Sequence, residues 1–475
     1  MEDAAAPIEA VHLKRALGAW DLTGGCVVAV ANLNILPVVA GAGPTTIWLW
    51  MAALLLFFLP QGIAVIELSH RMPSEGGLYI WTREAFGDLH GFLCGWCYWT
   101  TNLFYLPTLL FYLVGVITYT GGSAITKFAG NPIYFGSLTI GLLLLITAAN
   151  IRGVGVGKWV NNVGGVGTAV AGGILIVLGA ITVFRFGMTL PASSFALRTM
   201  DWSIISSFAI ICFGLVGLEL GPVMGGEIRD PERTVPRGVL YGGVLSGLLY
   251  ICATLAVLLA VRPEDIRVLQ GVLQGVDKMA GRLGMAWLLL PLAGFMAVSI
   301  IGCASAWLSG SARILFVSGL DRYLPSMFGK VHPKHGTPYV ALIGMGVLAS
   351  GLIVMSFVGR STVREAYVTL LDLAVVLQMI SYLYMYGALA RVAFGSSSGA
   401  GFYGKGRLRF AAVSGLITTT IGMIVAFVPS RHVDSVWRFE LKMFVTSAVF
   451  LGVAAGLFRY YSHRRPQAEA VGMQA

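Results

Sequence analysis

Residues 210–222 read Ile-Ile-Cys-Phe-Gly-Leu-Val-Gly-Leu-Glu-Leu-Gly-Pro, a hydrophobic run that also contains three glycines, a proline and a carboxylate. Glycine and proline weaken a helix, and a carboxylate in lipid is costly unless it faces a bundle interior or a wet cavity. The stretch therefore predicts a membrane helix that unwinds near its middle, with Glu219 beside the break.

A second interrupted stretch lies near the start of the chain. Residues 22–37 read Leu-Thr-Gly-Gly-Cys-Val-Val-Ala-Val-Ala-Asn-Leu-Asn-Ile-Leu-Pro. Asparagine is the non-glycine residue that best tolerates a left-handed backbone, so Asn32 can support a break here. Two broken helices at corresponding places in two halves of a chain indicate an inverted-repeat transporter whose binding site lies at the breaks.

The composition is that of a membrane protein. The chain has 475 residues, of which 57% are hydrophobic and 11% charged, whereas a soluble chain carries about 25% charged residues. Because one span needs about 20 residues, the hydrophobic runs predict an all-α integral membrane protein with about twelve transmembrane helices. The predicted spans, numbered 1 to 12, are 17–39, 46–69, 89–119, 132–150, 159–184, 203–224, 238–261, 284–312, 338–358, 364–390, 410–429 and 440–459.

The net charge of +10 is explained by membrane topology. With the N-terminus inside, 20 of the 32 Lys and Arg residues fall on the cytoplasmic face. Cytoplasmic loops carry such an excess, so both termini are predicted to be cytoplasmic and no nucleic acid partner is expected. The N-terminal segment lacks the pattern of a secretory signal, so the first span is expected to be retained.

The spans predict five parts, two of which are inverted repeats of five spans. These parts are a cytoplasmic N-terminal tail (1–16), a first repeat (17–184), a second repeat (203–390), two additional helices (410–459) and a cytoplasmic C-terminal tail (460–475). All six cysteines fall inside predicted spans, and no ATP-binding or nucleophile motif rises above chance. The sequence therefore predicts no enzymatic activity, no cofactor and no metal site.

Three motifs resemble the amino acid, polyamine and organocation (APC) superfamily of transporters. They are the F-x-x-x-G-F-E and N/D-P-x-x-x-x-P-R patterns of span 6 and its loop, the loop after span 2, and a segment of span 8. The matching residues are Phe213, Gly217, Glu219, Glu227, Asp230, Pro231, Pro236 and Arg237, then Glu67, Pro73, Gly76, Gly77 and Tyr79, then Ala306, Trp307, Arg313, Asp321 and Pro325. The resemblance implies the LeuT-like fold and looks closest to the glutamate:GABA antiporters and their polyamine-transporting relatives.

Two departures from the family pattern concern the substrate and the coupling ion. Many members have G-S-G-I-F in the break of span 1, where this chain has Val-Ala-Asn-Leu-Asn at 30–34. Backbone amides for a substrate carboxylate are therefore expected to be less exposed. Some proton-coupled members carry a lysine in span 5, where this chain aligns Thr168, and Lys158 falls at the cytoplasmic end instead.

The predicted substrate site is the backbone of the two breaks. Freed carbonyls bind an ammonium, and freed N–H groups with the positive half-helix dipole bind a carboxylate. The residues predicted to supply these groups are Ala29, Val30, Ala31, Asn32, Phe213, Gly214 and Gly217. The resemblance implies that Phe213 stacks over the substrate as a gate and that Trp307 lines the side-chain pocket, although an aromatic residue in a span also serves packing or lipid contact.

Few ionisable residues lie inside the spans, and an intramembrane carboxylate is a functional candidate. Glu219 is the first candidate for proton coupling or gating, and its alternative is a structural hydrogen bond that holds the broken helix. Asp372 is a second candidate, or a ligand for a cationic amine, and Glu67 is a candidate cytoplasmic gate. Thr168 and Ser305 are candidates for a sodium site, although hydroxyls also satisfy backbone groups in ordinary membrane helices.

These features predict a secondary active transporter of amino acids in the cell membrane that works by alternating access, as a proton symporter or a substrate exchanger. A polyamine or organic amine is the alternative substrate. A channel requires a continuous polar pore or filter repeat, and a nutrient sensor has little tail here to signal through, so both are disfavoured. The expected partners are the small-molecule substrate, protons or, less favoured, sodium, and membrane lipid, while the oligomeric state is left open.

Overall fold

The computed structural model describes residues 18–73, 76–197, 202–223, 228–321, 323–357, 362–395, 401–428 and 436–472. The predicted N-terminal tail (1–16), Glu227 of the span 6 motif and the last three residues of the predicted C-terminal tail lie outside the described residues. The secondary structure assigned to the described residues is helical, as the sequence predicted.

The α-helices are numbered in chain order. They are α1 (Ala19–Val30), α2 (Leu36–Gly41), α3 (Thr46–Ala53), α4 (Leu59–Arg71), α5 (Leu78–Phe86), α6 (Asp88–Thr120), α7 (Gly122–Thr126), α8 (Pro132–Ile151), α9 (Val154–Phe186), α10 (Trp202–Gly214), α11 (Leu220–Val223), α12 (Pro231–Ala260), α13 (Gly271–Arg282), α14 (Leu289–Leu320), α15 (Tyr339–Ser356), α16 (Val363–Phe394), α17 (Lys405–Val425) and α18 (Val436–Gly472).

Ten helices in the described part of the chain are long and apolar enough to cross a membrane. They fall on predicted spans 2 to 5 and 7 to 12, so the prediction of an all-α membrane protein is confirmed. The repeat boundaries at 17–184 and 203–390 stay predictions. Several helices extend beyond their predicted spans: α12 begins at Pro231 rather than at 238, α14 runs to Leu320 rather than 312, and α18 runs to Gly472 rather than 459.

Predicted spans 1 and 6 are the interrupted ones. In span 1, α1 ends at Val30 and α2 begins at Leu36, and in span 6, α10 ends at Gly214 and α11 begins at Leu220. The break of span 1 includes Asn32, whose backbone is not left-handed, because among the described residues Asp230 is the non-glycine residue with positive φ. The Asn32 side chain instead donates from Nδ2 to the Ala29 carbonyl at 2.7 Å, which satisfies a backbone group that the break has freed.

A π-helical turn at Leu54–Phe58 joins α3 and α4 into one helix, Thr46–Arg71. Hydroxyls of neighbouring helices donate to carbonyls of this turn. Ser414 and Thr418 of α17 donate to the Leu56 carbonyl at 2.7 and 3.0 Å, and Tyr386 of α16 donates to the Phe57 carbonyl at 2.8 Å. Span 2 is therefore fastened to α16 and α17 at this turn.

Glycines of span 5 pack closely against neighbouring helices. A Cβ on Gly164 would lie 2.7 Å from the Gly302 Cα of α14 and 3.0 Å from Val28 Cγ2 of α1. A Cβ on Gly165 would lie 2.9 Å from the Gly24 carbonyl oxygen. Small residues at these positions let α9 approach α1 and α14 backbone to backbone.

We expect Gly164→Ala to lower the apparent Tm of the purified protein, because overpacking a close contact costs about 1–3 kcal/mol. Gly173→Ala on the same helix is the matched control, since a Cβ there meets nothing within 4 Å. Thermal unfolding in detergent measures both variants. Equal Tm values for the two variants would contradict the close approach of α9 to α14.

Candidate functional site

The two helix breaks touch each other. Gly217 has φ +132°, a backbone conformation that glycine adopts without strain. A Cβ at this position would lie 3.2 Å from the Ala29 carbonyl carbon and Cβ and 3.2 Å from Val30 Cγ2. The break of span 6 is therefore packed directly against the end of α1, and the predicted residues of the two breaks do come together.

Tyr250 of α12 joins both breaks through one hydroxyl group. Its oxygen accepts the Asn32 N–H at 2.9 Å, and the hydroxyl lies 2.6 Å from the Val30 carbonyl oxygen and 2.9 Å from that of Gly214. Its ring stacks on Trp50 with centroids 4.4 Å apart. Sequence reasoning missed Tyr250, because a tyrosine in an apolar span gives no signal of which backbone it reaches.

Span 8 supplies two further contacts to the break of span 1. Trp307 Nε1 donates to the Ala29 carbonyl at 3.2 Å, and the Cys303 thiol donates to Asn32 Oδ1 at 2.7 Å. Ala31 is also buried here, and its N–H donates to the Val27 carbonyl. The structure thus places Trp307 at the predicted site and adds Cys303, which the sequence analysis had placed inside span 8 without a role.

Aromatic rings surround the same position. Tyr105 of α6 meets Phe213 edge-on with ring centroids 4.9 Å apart, and it meets Trp307 at 6.1 Å with perpendicular planes. Tyr98 lies about two turns earlier on α6. Its ring centroid is 6.1 Å from that of Trp307. Phe213 is 5% exposed and Trp307 3%, so these rings close the site from solvent.

Glu219 lies in the break of span 6 and is fully buried. Its Oε2 accepts hydrogen bonds from Tyr382 Oη at 2.5 Å, Gln61 Nε2 at 3.1 Å and the Gly217 N–H at 3.1 Å. Its Oε1 has no hydrogen-bond partner within the described residues. One carboxylate thus connects spans 2, 6 and 10, and this connection includes the structural hydrogen bond that was the alternative to coupling.

Asp372 of α16 is buried but lies apart from the hydrogen bonds of Glu219. Its Oδ2 has no partner within the described residues, and it interacts electrostatically with Tyr367. Tyr367 in turn donates to the Asn34 carbonyl at 3.2 Å, just beyond the break of span 1. Asp372 is therefore connected to the span 1 segment through Tyr367.

Ion pairs join the helix ends on the predicted cytoplasmic face. Glu67 accepts from Arg71 at 2.6 Å and from the Tyr403 N–H at 2.9 Å, and Asp21 of α1 pairs with Lys158 of α9 at 2.7 Å. These contacts tie α1 to α9 and α4 to the segment before α17.

A third ion pair on this face links α5 to the end of α14. Asp321 accepts from Arg83 at 2.6 Å and from Tyr79 at 2.5 Å. Burial alone would lower the pKa of Arg83, but the Asp321 carboxylate outweighs it and raises that pKa, whereas burial and Asp321 both raise the pKa of Tyr79. Arg83 therefore keeps its positive charge across the physiological pH range.

The two hydroxyls of the predicted sodium site have different partners. Thr168 pairs with Ser299 at 2.5 Å and donates to the Gly164 carbonyl. Ser305 pairs with Asn150 at 3.1 Å. Their hydrogen bonds thus do not meet at a shared group, and each satisfies polar groups between helices.

Two cavities flank the breaks. A cavity of about 1020 Å³ is lined by Gly41–Gly43 at the end of α2, by residues 263–270, and by Lys278 and Arg364. A smaller one of about 40 Å³ is lined by Asp21, Lys158 and residues around them. Neither cavity is lined by Asn32, Phe213 or Gly217, so the contact between the two breaks is separated from both cavities by protein.

Comparison with known proteins gives one family. A family model described as amino acid permease matches residues 17–454 of the chain. The match includes both breaks and every candidate residue named above.

Several curated transporters are similar to the chain over most of their length. An uncharacterized transporter from Legionella pneumophila is 27% identical over 93% of this chain and 96% of its own. A probable agmatine/putrescine antiporter from Lactococcus lactis is 22% identical over 77% of each chain. A branched-chain amino acid permease from Bacillus subtilis is 24% identical over 71% of this chain and 74% of its own.

We expect Gly217→Ala to destabilise the protein, because a side chain at this φ costs about 1–3 kcal/mol and the new Cβ presses on Ala29. Gly294→Ala on α14 is the control, since a Cβ there meets nothing within 4 Å. The apparent Tm in detergent checks both variants. If Gly217→Ala melts with the wild type, the two breaks are not packed as described.

Proposed function

The chain belongs to the amino acid permease family of the APC superfamily and is a multi-pass membrane transporter; from this premise we propose that it carries small amine-bearing solutes by secondary active transport. Amino acids are the first expectation and polyamines or other organic amines the alternative. The membrane is the cell membrane with both termini in the cytoplasm, and coupling is to protons or to exchange of a second substrate.

The contact between the two breaks is the observation that carries this proposal. Val30, Asn32, Gly214 and Gly217 place backbone polar groups of two interrupted helices around one buried position. Such backbone is tolerated at membrane depth only where protein or a cavity satisfies it. A solute with hydrogen-bonding groups can replace some of these internal partners, which is what a binding site at the midplane requires.

Phe213 is the proposed gate, and Trp307 is the proposed wall of the pocket. Both are nearly buried, and Tyr105 holds them edge-on from α6. Because Phe213 lies at the end of α10, next to the break, its ring moves whenever that end tilts. We therefore assign Phe213 to closing the site and Trp307 to lining it.

Glu219 is the proposed coupling residue. Its carboxylate holds the Gly217 N–H of the broken segment together with Gln61 of span 2 and Tyr382 of span 10. A proton on this carboxylate removes a negative charge from the centre of the three helices and turns one of its oxygens from an acceptor into a donor. The protonation state of Glu219 thus changes how strongly the break is held.

The ion pairs Lys158–Asp21 and Arg83–Asp321 form the proposed cytoplasmic gate, with Glu67 as a third member. The first two pairs join the ends of different helices, and Glu67 accepts the Tyr403 N–H of the segment before α17. These contacts must separate if the narrow crevice is to open. In this conformation the cavity of about 1020 Å³ lies at the end of α2, on the predicted extracellular side. Alternating access would close this side and open the crevice at Asp21 and Lys158 on the cytoplasmic side. Rocking of spans 1, 2, 6 and 7 against the rest is the proposed motion.

Uptake into proteoliposomes tests the function. The purified protein is reconstituted and supplied with radiolabelled amino acids or amines, with a pH gradient, a sodium gradient or an internal substrate pool. We expect saturable uptake that a pH gradient or internal substrate stimulates. Uptake driven by sodium alone would overturn the coupling proposal, and the absence of uptake for every solute would overturn transport.

We expect Phe213→Ala and Glu219→Gln to reduce this uptake at least tenfold, because the first opens the gate and the second removes the ionisable group while keeping an acceptor for the Gly217 N–H. Matched controls are Phe184→Ala, a ring that is 92% exposed on α9, and Glu84→Gln, an exposed carboxylate. Size-exclusion profiles and Tm values verify that the variants fold. Near-normal uptake by both site variants would contradict the site assignment.

A further inference from the structure

We propose that an apolar groove between spans 2 and 7 binds an anionic phospholipid. An acyl chain lies in the groove, and the headgroup lies at arginines on the predicted cytoplasmic side. This inference goes beyond the proposed substrate and coupling, because it assigns the membrane partner of the protein to one class of lipid and one place on its surface.

The groove has a volume of about 320 Å³ and is almost entirely apolar. This volume is within the range of ligand pockets in proteins, about 300–1,000 Å³. One wall is formed by residues between 54 and 66 of span 2, and the other by residues between 239 and 251 of α12. Leu240, Val244 and Leu248 of α12 are 57–58% exposed, so these side chains are open to lipid in a membrane.

The length of the groove matches one leaflet of a bilayer. Its outer α12 positions run from Leu240 to Ile251, which is about 16 Å at about 1.5 Å per residue. The hydrocarbon core is about 30 Å thick, so the groove extends over about half of it. A partner helix that crosses the membrane would use the full thickness, whereas an acyl chain of the cytoplasmic leaflet uses this half.

The floor of the groove belongs to the break of span 6. Leu218 lines it and is the residue between Gly217 and Glu219. A Cβ on Gly243 of α12 would lie 3.7 Å from Leu218 Cδ2, and a Cβ on Gly62 of span 2 would lie 3.8 Å from Leu218 Cδ1. The absence of side chains at these two glycines leaves the space above Leu218 open. A chain in the groove therefore packs beside the break.

Positive charge follows the α12 wall to its predicted cytoplasmic end. Arg233 and Arg237 precede Leu240, Val244 and Leu248 at intervals of three or four residues, so these five residues share one face of the helix. Both arginines are exposed. Arg233 lies 3.9 Å from Asp230, a pair whose side chains are 79% and 61% exposed and which therefore contributes little.

The segment before α17 brings further positive charge to the same end of the groove. Tyr403 lines the groove and interacts electrostatically with Arg407. Arg407 and Lys405 are exposed. Glu67, which accepts the Tyr403 N–H, is buried and already paired with Arg71.

The two ends of the site thus fit the two ends of one kind of molecule. Basic groups between membrane helices on the cytoplasmic side attract anionic headgroups, and the apolar groove takes the acyl chain. A zwitterionic phospholipid has the same chain but no net charge for the arginines. The anionic lipid is therefore expected to bind more tightly.

Titration of the delipidated, detergent-purified protein with two lipids tests the proposal. Dioleoylphosphatidylglycerol and dioleoylphosphatidylcholine have identical chains and differ in headgroup charge. Native mass spectrometry measures the affinity for the first lipid bound and the oligomeric state. We expect phosphatidylglycerol to bind at least tenfold more tightly than phosphatidylcholine, and equal affinities would overturn the proposal.

A substitution that fills the groove tests where the lipid binds. Gly243→Leu places a side chain above Leu218, so we expect its affinity for phosphatidylglycerol to fall at least tenfold. Gly351→Leu is the matched control, because Gly351 is exposed on α15 and a Cβ there meets nothing within 4 Å. Wild-type affinity in Gly243→Leu contradicts the proposed site. Dimers that disappear in this variant would place a second copy of the chain in the groove and also overturn the proposal.

A charge variant keeps the proposal testable if Gly243→Leu does not fold. In the double variant Arg237→Gln and Arg407→Gln, we expect the preference for phosphatidylglycerol to fall to about twofold or less. The control is Lys330→Gln with Lys334→Gln, which removes the same charge from exposed residues of the loop before α15. An unchanged preference in the arginine variant contradicts the headgroup assignment.

These measurements contain no substrate and no ion gradient, so they separate the lipid site from the proposed function. Loss of the lipid preference would refute the site while transport stands. Absence of uptake for every solute would refute transport while the lipid site stands.

Discussion

The structure depends on one constraint: the backbone polar groups freed by two helix breaks in a membrane must find partners inside the protein. Tyr250 meets this requirement for Val30, Asn32 and Gly214, and Glu219 meets it for Gly217. These two side chains come from different elements, so each break is stable only while its neighbours are in place. The fold and the proposed binding site therefore depend on the same contacts.

A broken helix offers two kinds of backbone group. Its N–H groups and its carbonyls are both available to a ligand when nothing else binds them. In this chain the Tyr250 oxygen accepts the Asn32 N–H and the Glu219 carboxylate accepts the Gly217 N–H, while the Tyr250 hydroxyl also lies within hydrogen-bond distance of the Val30, Asn32 and Gly214 carbonyls. Side chains from outside the span 1 break thus bind backbone groups of both kinds.

The sequence predicted the breaks and their residues but not their partners. Gly217, Pro222 and Glu219 stand within one apolar run, and such local composition is visible without a structure. The Tyr250 and Cys303 contacts join residues more than 200 positions apart, so no local pattern reports them. The side-chain bond of Asn32 was hidden for a related reason, since propensity describes a residue alone, whereas Asn32 Nδ2 donates to the Ala29 carbonyl from a backbone that is not left-handed.

The π-helical turn in span 2 has a mechanical consequence. Its Leu56 and Phe57 carbonyls hold hydroxyls of α17 and α16, and α17 lies outside the two predicted repeats. A tilt of span 2 must either carry α17 with it or break these hydrogen bonds in lipid, where their loss is costly. The helix α17 therefore restrains span 2. In the proposed transport cycle, these hydrogen bonds limit how far span 2 can tilt.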